Sequence, residues 1–163
     1  MTAGTLEREA IQQASILIDA PPESVYAVIS DVMRTGEWSP ECRRCRWVDT
    51  PGRPELGARF RGYNRYRWLR WSRLNEVIVA RPGREFAFTV LPDWFNRDSS
   101  TWRYTLAPEA GGTRLTEMSE VHTWPGFVVH FPTSLAGRPY DMSDNLETSL
   151  QRIKAIAERE AGG

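Results

Sequence analysis

From Arg59 to Val90 the chain runs through long stretches of alternating polar and apolar residues with almost no helix punctuation, and that segment limits the fold to a sheet. Phe60, Gly62 and Asn64 alternate with Arg59, Arg61, Tyr63 and Arg65, the inside–outside period of a half-buried antiparallel strand. A turn near Arg67 leads to a second run, Trp71 to Val79. Pro82-Gly83 then turns the chain into Glu85 to Leu91, where Phe86, Phe88 and Val90 share a face. Beyond a loop from Pro92 to Arg97, Trp102, Tyr104 and Leu106 alternate with Thr101, Arg103 and Thr105 as far as Pro108. Gly111-Gly112 reads as a hairpin turn into Thr113 to His122. Strands spaced by Gly and Pro in this way build one antiparallel sheet.

Helical patterning is confined to the two ends. Ile16 to Ile18, preceded by Gln12 to Ser15, reads as a first strand. Pro21 and Pro22 end it and open a helix, because a proline in the first turn forfeits only an amide that has no partner there. Val25, Val28, Ile29 and Val32 follow as one apolar stripe. Ser30 or Asp31 is placed to cap a second short helix ended by Gly36, and Trp38 and Pro40 mark the exit into a loop. Cys45 to Thr50 reads as a short strand, with a turn-rich connection from Pro51-Gly52 through Pro54 to Gly57. Trp124 to Gly137, with its prolines and glycines, reads as a loop holding at most one helical turn. Pro139 suits the first position of a final helix and Asp141 its N-terminal turn. Met142, Leu146, Leu150, Ile153, Ile156 and Ala157 supply its buried stripe, and Gly162-Gly163 stops it. A helix of about twenty residues is ~30 Å long, enough to cross a small sheet. The order predicts an α+β domain in which a curved antiparallel sheet wraps a long C-terminal helix, with two short helices after the first strand. One such domain accounts for all 163 residues, its core running from about Gln12 to Glu160.

The formal charge is zero, which argues against a nucleic-acid binder, although ten arginines between Arg43 and Arg73 face only Asp49 and Glu55. Three readings of that stretch stand: a solvated sheet face, a docking surface for an acidic partner, and a stacking surface for nucleic acid with Tyr63, Tyr66, Trp68 and Trp71 interleaved. They rank in that order. No apolar run reaches the ~20 residues of a membrane span, and Met1 to Ala10 lacks the pattern of a secretory leader, so a soluble, cytoplasmic protein is expected. Oligomeric state leaves no mark on the sequence.

Cys42 and Cys45 form an isolated Cys-x-x-Cys ahead of a strand. A redox pair of the thioredoxin type would place it at a helix N-terminus, and a zinc site would need two more ligands. His122 and His130 do not have that spacing, so the cysteines read as structural and no metal is expected. Both histidines read as surface or strand-end residues. Trp94, Phe95, Trp124 and Phe127 fall in loops near strand ends, as gate or as ordinary anchors.

If the alternating sets point into a hollow under the helix, Asn64, Arg73, Asn75, Tyr104 and Glu117 gather as a small polar cluster. The walls around them are Trp38, Phe60, Trp71, Phe88 and Trp102, with Met142 and Leu146 of the last helix. Apolar walls with a few placed polar groups are the composition of a ligand pocket, unless the bulky rings fill the space. For Glu117 two readings remain. It acts as a general acid/base with its pKa raised by burial, Tyr104 or Arg73 steadying an oxygen; or, the commoner case, it is satisfied by an arginine such as Arg73, or points outward where the strand register slips by one.

The run from Ser15 to Val32 with Glu37-Trp38-Ser39-Pro40 resembles the opening of the START-related superfamily of polyketide cyclases and lipid-transfer proteins. Gly57 to Gly62 with Asn64-Arg65, Pro82 to Phe88, Trp102-Arg103-Tyr104 and Gly112 to Glu117 continue the likeness as far as about Glu160. The resemblance implies the helix-grip fold and a cavity. It implies an apolar or aromatic small molecule, lipid or polyketide-like, as ligand, with no metal or redox cofactor. If the chain is an enzyme, it implies cofactor-independent cyclisation or dehydration of a poly-ketone. Trp38 is then similar to the cyclase tryptophan, and Arg73, or Asn75 beside it, to the cavity arginine; an acidic acyl carrier protein becomes a candidate partner. A partner-binding regulatory module is the third function class in view.

Overall fold

The computed structural model describes residues 11–49 and 52–163. Seven strands form one antiparallel sheet in the order β1-β7-β6-β5-β4-β3-β2. They are β1 (Ile11–Ile18), β2 (Cys42–Trp47), β3 (Arg59–Tyr66), β4 (Leu69–Arg81), β5 (Glu85–Val90), β6 (Ser99–Glu109) and β7 (Gly112–Thr123). The helices are α1 (Pro22–Ser30), a 3-10 helix (Val32–Glu37), α2 (Phe127–Leu135) and α3 (Ser143–Ala161). The curved sheet wraps α3 as expected for a helix grip. Register shifts at Cys42/Arg44, Val77/Val79 and Ser99/Ser100 mark the bulges that bend it.

The alternation read from the sequence is the alternation of burial. Phe60, Val77, Phe86, Leu106 and Leu115 face the helix layer, while Arg65, Arg70 and Arg84 are exposed. Val25, Val28 and Ile29 of α1 join Leu150, Ile153, Ile156 and Ala157 of α3 in the same core. Each such aliphatic side chain contributes roughly 1.5–3 kcal/mol by leaving water. The ends of the chain are tied together: Lys154 Nζ donates to the Leu17 carbonyl at 2.8 Å and the Asp19 amide donates to Glu158 at 2.8 Å.

The expected borders shift in several places. β1 begins five residues before Ile16, because its whole length pairs with β7 from Ile11↔Glu120 to Ile18↔Thr113; ladder hydrogen bonds outweigh the weak polar pattern of Gln12 to Ser15. β2 starts at Cys42 rather than Cys45, held by its register against β3; Thr50 and Pro51 lie outside the described residues. Gly36 does not end the second helix in a left-handed cap. It lies inside the 3-10 helix, where a Cβ would stand 2.1 Å from the Arg43 carbonyl oxygen, so its role is close backbone approach.

Two corrections concern the C-terminal third. Trp124 to Gly137 is not a loop with one turn: α2 occupies nine residues of it despite Pro132, which forfeits a single amide bond. The Gly126 carbonyl starts that helix by accepting from the Val129 and His130 amides, and Thr133 Oγ1 donates to the Val129 carbonyl at 2.9 Å. α3 begins at Ser143, so Pro139 and Asp141 precede it. Asp141 still serves the N-terminus, accepting from the Ser143 amide at 2.9 Å.

Among the described residues no helix is long and apolar enough to cross a membrane. The arginine-rich strands turn Arg43, Arg44, Arg46, Arg59, Arg65 and Arg70 to solvent, where Arg59 pairs with Glu76 at 2.9 Å and Arg44 lies over the Tyr63 ring.

Candidate functional site

Between the inner face of the sheet and the start of α3 lies a cavity of about 210 Å³. β3 contributes Phe60, Gly62 and Asn64 to its wall; β4 contributes Trp71, Arg73 and Asn75; β5 gives Phe88 and Val90; β6 gives Ser100, Trp102 and Tyr104; β7 gives Glu117. On the other side stand Thr35, Trp38 to Cys42, Cys45 and Arg138. Met142 at the head of α3 and Asn145 and Ser149 within it complete the wall. The structure thus brings Trp38, Phe60, Asn64, Trp71, Arg73, Asn75, Phe88, Trp102, Tyr104, Glu117 and Met142 around one space. Leu146, expected with them, is 1% exposed and is not among the residues that line it. Trp94, Phe95, Trp124 and Phe127 are not part of the wall; Trp94 and Phe95 are exposed and Trp124 meets Tyr140 edge-on.

At the deep end Glu117 and Tyr104 face each other across the β6–β7 pair, in register as Tyr104↔Glu117. The Tyr104 hydroxyl donates to Glu117 Oε1 at 2.8 Å. Burial pushes the Glu117 carboxyl up to about 8, with the Tyr104 bond pulling the other way. Burial foremost, and then the Glu117 charge, raises the Tyr104 hydroxyl well above its usual range, and a Trp38 hydrogen bond opposes it. A pKa of about 8 keeps the Glu117 carboxyl mainly protonated at neutral pH, and with Oε1 taken by Tyr104 the remaining oxygen is Oε2. That oxygen is buried and has no partner among the described residues.

Neither sequence reading of Glu117 placed its neighbours fully. Arg73 does not satisfy it. Arg73 Nη1 instead bonds both carboxylate oxygens of Asp98, at 2.8 and 2.7 Å, and Nη2 reaches the Leu91 and Asp98 carbonyls at 3.0 and 2.8 Å. Its Nε is the other buried side-chain atom without a partner among the described residues. Asn75 is spent on the backbone, donating to the Arg73 carbonyl at 3.1 Å and to Phe60 at 3.4 Å. A buried acid and a charge-paired arginine with one donor to spare thus line one space with the rings of Trp38, Phe60, Trp71, Phe88 and Trp102.

The rim is held by Glu41 and Arg138. The guanidinium donates Nε and Nη2 to the two carboxylate oxygens at 2.9 and 2.8 Å, with its carbon 5.4 Å from the Trp71 ring centroid. Sequence reasoning missed Glu41, Asp98 and Arg138 because all three lie outside the alternating strand sets. Their only local signal is a charge beside a turn, which water explains equally well.

The chain is similar to proteins of known structure over most of its length. A polyketide-cyclase-like protein of Corynebacterium glutamicum is 34% identical, with 93% of each chain covered and a TM-score of 0.59. A START superfamily protein of Mycobacterium smegmatis shares the fold at 17% identity and TM-score 0.66, with 92% of this chain and 98% of that one covered. The two-domain aromatase/cyclase of the steffimycin biosynthetic pathway also shares the fold, at 15% identity and TM-score 0.70; 94% of this chain matches 52% of that one. No curated protein matches. The profile described as polyketide cyclase/dehydrase and lipid transport matches residues 10–158, and the chain belongs to that family.

Proposed function

We propose that the protein binds a compact, largely aromatic small molecule with one or two oxygen acceptors in this cavity. The observation that carries the reading is the pair of unpartnered atoms in its wall. Glu117 Oε2 and Arg73 Nε are both buried and without a partner among the described residues, on two side chains that line the cavity, and a ligand oxygen that reached them would satisfy both. Trp38, Phe60, Trp71, Phe88 and Trp102 supply flat apolar contact around them. A space of about 210 Å³ is smaller than the ~300–1,000 Å³ of common drug-sized pockets. One or two fused rings bearing carbonyl or phenol oxygens suit it better than a two-tailed lipid.

A second reading has its own support. An acid whose pKa is about 8, hydrogen-bonded to a tyrosine in the wall of the cavity, is poised to protonate a carbonyl and later take a proton back. That is the assistance a cyclase or dehydratase gives to aldol closure and loss of water. Native mass spectrometry of freshly purified protein, followed by fluorescence titration with 1-naphthol, separates the outcomes. Binding that weakens about tenfold in Arg73→Met supports the ligand site. A protein that is empty when isolated and indifferent to 1-naphthol overturns it. Turnover of a poly-ketone substrate that Glu117→Gln abolishes while binding persists establishes the enzyme.

A further inference from the structure

Cys42 and Cys45 are absorbed by neither reading of the cavity, and their arrangement is unusual for a strand. In a regular strand, residues i and i+3 point to opposite faces. Here the register shift between Cys42 and Arg44 inserts a bulge, so both cysteines turn inward and are buried while Arg43 and Arg44 stay exposed. The two Sγ atoms lie 3.4 Å apart, both are free thiols, and both line the cavity. Gly62, directly across the strand pair from Cys45, keeps the space over them open: a Cβ there would stand 3.6 Å from Cys45 Sγ and 3.7 Å from Cys42 Sγ. Among the described residues no third His, Cys, Asp or Glu joins them as a metal-holding group.

We propose that Cys42 and Cys45 are a reversible redox site in the cavity wall, closing to a disulfide when a small hydroperoxide enters and reopening with a thiol reductant. A disulfide needs the sulfurs at about 2.05 Å, and the 3.4 Å between them here already places the two thiols in contact. The two thiols are not equivalent. The hydrogen bond from Cys42 lowers the Cys45 thiol from its ordinary range, against burial and with help from Thr35, and the same bond raises Cys42. This replaces the helix N-terminus that lowers such a thiol in redox pairs of the thioredoxin type. Cys45 thiolate attacks a peroxide oxygen, the O–O bond breaks, and the leaving oxygen departs as water or alcohol, giving a sulfenic acid. Cys42, as it loses its proton, attacks that sulfur and expels a second water. Two thiols and one hydroperoxide thus yield one disulfide, with two electrons passing from sulfur to oxygen.

The site does not depend on the ligand assigned to the cavity, since its readout is sulfur alone. Fully reduced, buffer-exchanged protein is treated with hydrogen peroxide and followed by intact mass and thiol titration under denaturing conditions. The expected result is a monomer lighter by about 2 Da with both thiols lost, restored by dithiothreitol. Cys42→Ser and Cys45→Ser each keep one thiol and do not show that loss. Cys42→Ala and Cys45→Ala repeat the measurement should serine unfold the strand, with circular dichroism confirming the fold. Wild-type protein that keeps both thiols under peroxide sufficient to oxidise free glutathione overturns the proposal. So does direct passage to sulfinic acid, a gain of about 32 Da, or linkage between two chains.

Discussion

At Glu117 the cost of burial is readable as a pH dependence. Its native pKa of about 8 lies above the ~4.3 of an unfolded glutamate, so between those values the native state binds the extra proton. This group's contribution to stability is full below about pH 4 and is lost as pH rises through 8, at up to about 1.4 kcal/mol per pH unit. Glu117→Gln removes that slope; urea unfolding of both proteins from pH 5 to 9 checks it, and parallel curves would falsify the assignment. Arg73 and Asp98 give a second expectation. With their side chains 9% and 24% exposed, Asp98→Asn strands a mostly buried cation and costs about 2–4 kcal/mol by denaturant titration. The double change Arg73→Met with Asp98→Leu costs less, because no charge is left unpaired. The inward sets carrying Arg73, Tyr104 and Glu117 were legible from period two alone, since alternation fixes a side chain's face. Which carboxylate meets Arg73 was not legible, because Asp98 reaches it only after β5 and β6 have paired.

Among the elements, the hairpin from β6 to β7 shows how local chemistry and fold agree imperfectly. Ala110 and Gly111 both hold positive φ, 51° and 79°, in a tight turn that favours Asn-Gly. Alanine is strained there. Ala110→Asn should stabilise by about 0.5–1 kcal/mol, raising Tm by ~1–4 °C in a calorimetric scan; no change would mean that the turn relaxes without strain. The strands of the sheet were visible in the sequence because each carries its own period, and α3 because its stripe extends over several turns. α2 was not. Its glycines and proline speak for a loop, and Phe127, Val128, Phe131 and Leu135 are exposed, so no buried stripe announces it. The Cys42 bulge was equally silent, since an extra strand residue is defined by the partner strand.

For the molecule as a whole, the bidentate bridge from Arg138 to Glu41 joins the segment before α3 to the segment before β2, across the rim of the cavity. Arg138→Met removes it while keeping the stem over Trp71. Release of 1-naphthol, measured by stopped-flow, should quicken about tenfold if the bridge holds the rim by ~1.4 kcal/mol. An unchanged rate assigns the bridge to packing alone. The sheet order has a further consequence. Among the described residues β1 has one strand neighbour, β7, with Ile11 opposite Glu120. A chain leaving the ribosome therefore carries β1 unmatched while β2 to β6 are made. β1 can join the sheet only after β7 has emerged, so that edge of the sheet is the last to assemble as the chain is made.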